Sequence, residues 1–211
     1  NAHGKSENML LSQETEILCI SCHDSSNHIT DSHNIHPPYD EGECLTCHSP
    51  HGSRFDSLMR TDLNTLCSEC HEDSGKWLLQ TSTHTPVKIG RCIKCHEPHF
   101  SDKDYLLKDN QDDLCIRCHE STIENSSLKI PHEPFADGEC SSCHGIHATD
   151  HEFLLLDKQA NLCGECHEVV TDTESTNSIH APVTNGKCSD CHLPHGGQRS
   201  GFLPEVTDQF C

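Results

Sequence analysis

Eight times this chain sets two cysteines two residues apart and follows the second at once with a histidine. The cysteine pairs are Cys19 and Cys22, Cys44 and Cys47, Cys67 and Cys70, Cys92 and Cys95, Cys115 and Cys118, Cys140 and Cys143, Cys163 and Cys166, and Cys188 and Cys191. The histidines behind them are His23, His48, His71, His96, His119, His144, His167 and His192. Thiols at this spacing can add across the two vinyl groups of a haem as thioethers, and the next residue then lies beneath the iron as its proximal ligand. A single CxxC could equally be a redox pair or half of a zinc site. A run of zinc ribbons is the plain competitor, because CxxC pairs about 20 residues apart also suit four-cysteine zinc. That alternative leaves the histidine behind every second cysteine without a role.

The motifs are in strict register with a period of 48 residues, and a repeat of this size is established before any fold is argued. Cys19, Cys67, Cys115 and Cys163 open one series, and Cys44, Cys92, Cys140 and Cys188 open the other. Two further histidine series keep the same phase. His36, His84, His132 and His180 each stand eight residues before an even-numbered motif, and His51, His99, His147 and His195 each stand three residues after that motif's histidine. Eight haems need eight distal ligands, and the phased set supplies that number. The reading is therefore eight covalently attached haems c with bis-His iron. His28, His33 and His151 have no phased counterparts and read as solvent-facing.

A histidine three residues beyond a proximal ligand is on the same side of that haem and must serve a neighbouring iron. Such a ligand ties two haems together, and a close-packed row of haems is a path for electrons. At the ends the repeat is cut in mid-phase. His3 stands at a distal-ligand position, and Cys211 stands where a ninth motif would begin. If each CxxCHxxH histidine serves the following odd motif, His3 serves the haem of Cys19 and Cys22, and His195 is spare. If each serves the preceding one, His51 takes that haem and His3 is spare.

The elements that must position these groups are short. Only 32% of the 211 residues are hydrophobic and 4% aromatic, too little for side-chain burial alone to offset the ordering entropy. The haems are then the core, and the apo chain is expected to be unfolded. The fold class read from this is mostly irregular coil with short helices and little or no sheet, a haem-templated array of four repeats. The array is one domain over 1–211: a partial repeat 1–18, repeats 19–66, 67–114, 115–162 and 163–210, and Cys211 opening an incomplete one.

Apolar residues at Leu10, Leu58, Leu106, Leu154 and Phe202, and again at Leu18, Leu66, Leu114, Leu162 and Phe210, suit one side of a short helix leading into the odd motif. Asp or Asn near its start would cap it. In the other connector Pro38, Pro86, Pro134 and Pro182 follow the phased histidine, and Gly42, Gly90, Gly138 and Gly186 precede the cysteine. This pattern predicts a turn-rich loop rather than a helix.

A formal charge of −20 argues against nucleic acid or an anionic membrane surface as partner. Basic proteins, cations and oxidised metal surfaces fit it better. No apolar run nears the roughly 20 residues of a membrane span. The first residues, from Asn1, carry no basic stretch and no apolar core of a leader, so the reading is of a soluble chain whose signal peptide has been removed.

The unit H-x7-C-x2-C-H-x2-H, as in His84 to His99, resembles the doubled-CXXCH multihaem cytochromes c over essentially the whole chain. The resemblance implies electron transfer outside the cytoplasmic membrane, extracellular or periplasmic. Implied partners are other cytochromes and extracellular acceptors such as metal oxides. Polymeric extracellular filaments occur in that family, and the cut repeat ends agree either with a slice of a longer repeat protein or with a head-to-tail homopolymer in which His3 or His195 crosses to a neighbour's haem. The competing function is a multihaem reductase or reductase subunit acting on a small oxyanion. Such an enzyme needs an open iron, often signalled by CxxCK, whereas all eight motifs here end in histidine. The reading is of a carrier, not an enzyme.

Overall fold

The computed structural model describes residues 13–23, 34–124, 128–167 and 179–204. His3, His28, His33 and Cys211 lie outside the described residues, as do Leu10 and Phe210. The chain divides into two compact units, one drawn from Asn1–Ser74 and Pro86–Leu114, the other from Gly75–Thr85 and Cys115–Cys211.

Among the described residues the strands are two residues long: β1 (Asn34–Ile35), β2 (Ser82–Thr83), β3 (Phe100–Ser101), β4 (Ile130–Pro131), β5 (Ala148–Thr149) and β6 (Gly196–Gly197). They pair antiparallel as β1 with β3, β2 with β5 and β4 with β6. The pairing between β2 and β5 is why Gly75–Thr85 belongs with the second unit. Everything else is coil and helical turns of a few residues, the architecture that so polar a sequence permits. The protein atoms bury one apolar side chain among the described residues, Leu66.

Helices lead into the odd motifs at Thr15–Ile20, Leu63–Ser68, Gln111–Glu124 and Gln159–Gly164. Asp62 caps the second, its carboxylate accepting from the Thr65 N–H at 3.0 Å. The predicted apolar stripe is only half realised. Leu66, Leu114 and Leu162 are helical, but Leu58, Leu106 and Leu154 lie ahead of the helix in tight turns with φ of 55°, 56° and 58°, and Phe202 lies in a like turn with φ of 55°. A spacing of eight suits a helix only if nothing interrupts it, and here a left-handed turn and an extended stretch do.

The second connector also departs from expectation. Each one contains a four-residue helical turn: Pro37–Asp40, Thr85–Lys88, Glu133–Ala136 and Ala181–Thr184. Proline is compatible with a first helical turn, where its missing N–H would have no intrahelical acceptor. Glycine ends each turn in the left-handed region, Gly90 at φ +69°. Gly90 is also buried, and a β-carbon there would come within 2.7 Å of the Asn64 Cβ on the helix before Cys67. Gly90→Ala is therefore expected to destabilise the haem-loaded protein by about 1–3 kcal/mol. Denaturant unfolding checks this; an unchanged midpoint would mean that the close approach does not matter.

Candidate haem-ligand site

The even motifs are held by a recurring hydrogen bond to a backbone carbonyl. The Nδ1–H of His48 donates to the Ser57 carbonyl, that of His96 to Tyr105 and that of His144 to Phe153, each at 2.9 Å, and that of His192 to Gly201 at 2.6 Å. A carbonyl only accepts, so Nδ1 carries the proton and Nε2 keeps its lone pair for a metal. The acceptors sit in the left-handed turns, with φ of 53° at Ser57, 55° at Tyr105, 59° at Phe153 and 75° at Gly201. The turn that breaks the expected helix is thus what orients the proximal imidazole. Sequence reading missed these acceptors because a carbonyl has no side-chain signature. Only the period, and a glycine at the fourth position, mark them.

The phased histidines are placed in the same manner. Backbone N–H groups of His36, His84 and His132 donate to the carbonyls of His99, His147 and His195 at 2.8, 2.9 and 3.1 Å. The Nδ1 atoms of His84 and His132 donate to the Ile146 and Pro194 carbonyls at 3.1 and 2.9 Å. One histidine of each series is therefore fixed beside one of the other, and His84 and His132 likewise present Nε2. Desolvation by burial holds His36, His99 and His195 below the ordinary histidine range, which favours the neutral form that a metal requires.

Five phased histidines face a proximal one. His36 lies opposite His71 with ring centroids 6.1 Å apart and planes 14° from parallel. His84 faces His119 at 6.1 Å and 25°, and His132 faces His167 at 6.0 Å and 26°. His99 faces His48 at 6.0 Å and 36°, and His195 faces His144 at 6.2 Å and 47°. Rings in van der Waals contact would stand much closer. Two imidazoles sharing one metal at about 2.0–2.1 Å per bond would have their centroids roughly 6.2 Å apart. The pairs fit an iron between them.

These pairings answer a question that spacing left open. His99 and His195 lie against even-motif histidines, so neither arrangement that assigned this series to odd motifs describes them. His147 stacks on Trp77 at 4.1 Å. His51 and His180 are exposed, and no ring faces them among the described residues. His151 is half-exposed, its Nε2 3.7 Å from Asp157.

Aromatic rings support the CxxCHxxH histidines from behind. Tyr39 is 4.8 Å from His99 and Phe135 is 4.7 Å from His195, each contact contributing about 0.5–1.5 kcal/mol. Val87 occupies the equivalent repeat position, and there Trp77 supplies the ring instead. Because Trp77 has no phased counterpart, the period could not reveal this role.

Within each unit, motifs consecutive in sequence are neighbours in space. The thiols of Cys19 and Cys44, of Cys67 and Cys92, and of Cys163 and Cys188 are close enough to perturb one another. Cys47 is close enough to Cys70, and Cys143 to Cys166, to feel its charge. No group of three or more His, Cys, Asp or Glu that could hold a metal ion on its own is found among the described residues, so the four-thiolate arrangement of a zinc ribbon is not seen there.

Cys22 and Cys191 have the same exposure as their phased counterparts: Cys22, Cys70, Cys118 and Cys166 are exposed, and Cys47, Cys95, Cys143 and Cys191 are half-buried. Each keeps the turn of its own motif: the Cys22 N–H donates to the Cys19 carbonyl at 3.1 Å, and the Cys191 N–H to the Cys188 carbonyl at 3.2 Å.

The family model described as the doubled CXXCH motif matches residues 36–76, 84–124, 132–171 and 180–211, well over half of the chain. Each match begins at His36, His84, His132 or His180, the histidines eight residues ahead of an even motif. No curated protein resembles the chain closely enough to count as a match.

Proposed function

The chain belongs to the doubled CXXCH family of multihaem c-type cytochromes, and from that premise we propose that it carries electrons along eight bis-His haems outside the cytoplasm. Covalent haem c and electron transfer belong to the family. The count of eight, the ligation and the location are inferences about this chain.

The observation that carries the reading is the succession of motifs. Within each unit, cysteines of one motif lie beside those of the next, so haems attached to them stand in a row. The haem supplies reversible one-electron storage at its iron. The protein's part is to fix spacing, ligation and burial. Proximal histidines of the even motifs are held in one tautomer by the turn carbonyls, and the facing histidines by strand and turn carbonyls. Ligands fixed on both sides change little when the iron changes charge.

The bis-His count is supported by the five facing pairs. Bis-His ligation lowers the potentials relative to His/Met haems. The charge of −20 favours basic redox proteins and metal-oxide surfaces over nucleic acid. No helix among the described residues is long and apolar enough to cross a membrane. Location outside the cytoplasm follows from where c-type cytochromes usually reside. A head-to-tail polymer acting as a conductive filament is the assembly we propose for it, by resemblance to the polymeric members of the family.

A potentiometric titration tests the function. All haems should exchange electrons with mediators at low potential, and the reduced protein should pass electrons to an iron(III) oxide without turning over nitrite or hydroxylamine. Catalytic reduction of either substrate at enzyme-like rates would transfer the assignment to the reductase.

A further inference from the structure

The turn that runs from each phased histidine into its even motif is acidic in two repeats and basic in a third. Residues 37–47 carry Asp40, Glu41 and Glu43, and residues 133–143 carry Glu133, Asp137 and Glu139, with no lysine or arginine in either. Residues 181–191 balance Lys187 against Asp190. Residues 85–95 carry Lys88, Arg91 and Lys94 and no acid. The reversal runs position for position. Arg91 stands where the other repeats have Glu43 and Glu139, and Lys88 stands where the first has Asp40. In a chain with 34 acidic residues against 14 basic ones, this stretch is a local exception.

The fold fixes the backbone beneath these side chains and leaves their charged heads free. Helical turns at Thr85–Lys88 and Cys92–Lys94 carry two of them. The Gly90 N–H donates to the Val87 carbonyl at 3.0 Å, the Arg91 N–H to that of Pro86 at 2.8 Å and the Lys94 N–H to that of Arg91 at 3.0 Å. Lys88, Arg91 and Lys94 are all exposed. None of the three is ion-paired among the described residues, whereas Arg60 holds Glu69 at 2.7 Å and Lys108 holds Glu97 at 3.2 Å. Ile89, among the cations and at the repeat position of Glu41 and Asp137, is 55% exposed. Lys94 lies between the two cysteines of its motif and Arg91 directly precedes the first, so the cations border the attachment site itself.

We propose that this face docks an acidic electron-transfer protein, which makes the motif Cys92–His96 the place where the chain exchanges electrons with it. The inference rests on the electron-transfer reading. The charge of −20 opposes such a partner only weakly at contact, because exposed charges are screened beyond about 8 Å at physiological ionic strength. At the face itself the partner meets three cations. A bilayer or another extended anionic surface would meet the chain's many exposed acids as well, which favours a partner with a compact acidic patch. An exposed isoleucine among charged heads suits the apolar centre and polar rim of a protein contact, and cations spread along a turn suit a surface rather than a single small anion. One electron passes between the partner's redox centre and the iron of the haem that Cys92 and Cys95 carry. One centre is oxidised as the other is reduced, and no bond is made or broken. Complementary charge acts chiefly on the rate of encounter and the choice of partner. The acidic turns at 37–47 and 133–143 repel the same partner, so the chain receives it at one motif.

The test uses the haem-loaded chain, with fully reduced flavodoxin, a small acidic electron donor, as probe. Stopped flow reads the rate of haem reduction, and zero-length carbodiimide coupling reads the contact. Lys88→Glu, Arg91→Glu and Lys94→Glu together should slow reduction about tenfold or more at low ionic strength and change it little at high salt. Lys158→Glu, Lys187→Glu and Arg199→Glu alter the net charge equally at exposed sites elsewhere and should slow it far less. Coupling should join flavodoxin carboxylates to Lys88 and Lys94. Equal effects of the two triple variants would overturn the proposal, as would coupling scattered over the other lysines or haems that flavodoxin does not reduce. Loss of self-association, or of binding to phosphatidylglycerol vesicles, in the first variant would give the face to a second copy or to a membrane and overturn it too. Mediated electrochemical titration, which should be the same for both variants and the parent chain, reports on the carrier reading by itself. Haems that take no electrons there would mean that the underlying reading has failed rather than the docking face.

Discussion

The chain prepared without haem attachment, with all sixteen motif cysteines changed to serine, is expected to be unfolded and to show no cooperative transition. Ordering each residue costs about 1–2 kcal/mol of backbone entropy, and apolar burial returns roughly 25 cal/mol per Å². Among the described residues only Leu66 is a buried apolar side chain. Most helices have four to six residues, far below the roughly 12–15 at which an isolated helix becomes even marginal, and two-residue strands add little. Ile20, Ile93 and Ile116, inside the CxxCH motifs, are 47%, 39% and 39% exposed to the protein alone. Attached haem would cover such side chains and supply the missing core. Far-UV circular dichroism across a denaturant series decides the matter, and a cooperative transition in the cysteine-free chain would refute a haem-templated fold.

The second large effect is local. His84→Ala is expected to turn one haem in eight from low-spin to high-spin and open it to carbon monoxide, with added imidazole restoring the low-spin state. The affected haem should be the one at Cys115 and Cys118, because His84 faces His119 at 6.1 Å. It should not be the one at Cys92 and Cys95, although that motif is nearer in sequence. Changing Cys115 and Cys118 to serine in the His84→Ala background should abolish the new signal, whereas the same change at Cys92 and Cys95 should leave it. The reverse outcome would mean that the facing pairs are not ligand pairs.

Legibility in the sequence followed the kind of information each feature needs. Covalent attachment is local chemistry, so Cys67, Cys70 and His71 announce it within five residues. The number of candidate ligands is a matter of counting and is equally visible. Which histidine meets which depends on the path of the chain between them. That His36 meets His71 and His99 meets His48 could not be read until the strand pairs set His36 beside His99 and His84 beside His147. Apolar spacing misled at Leu58 and Leu106, where the need to aim a carbonyl at His48 and His96 outweighed helix continuity. Proline misled at Pro38, because a residue that interrupts a helix is also a good way to begin one. Trp77 was invisible because it replaces a phased ring from an unphased position.

The account stands on covalent haem at every motif, and intact mass after acid denaturation measures that directly. Denaturation releases non-covalent cofactors and zinc but leaves thioether-bound haem in place. The predicted result is a single species heavier than the polypeptide by eight haems. A species at the bare polypeptide mass, with zinc recovered in the supernatant, would contradict it.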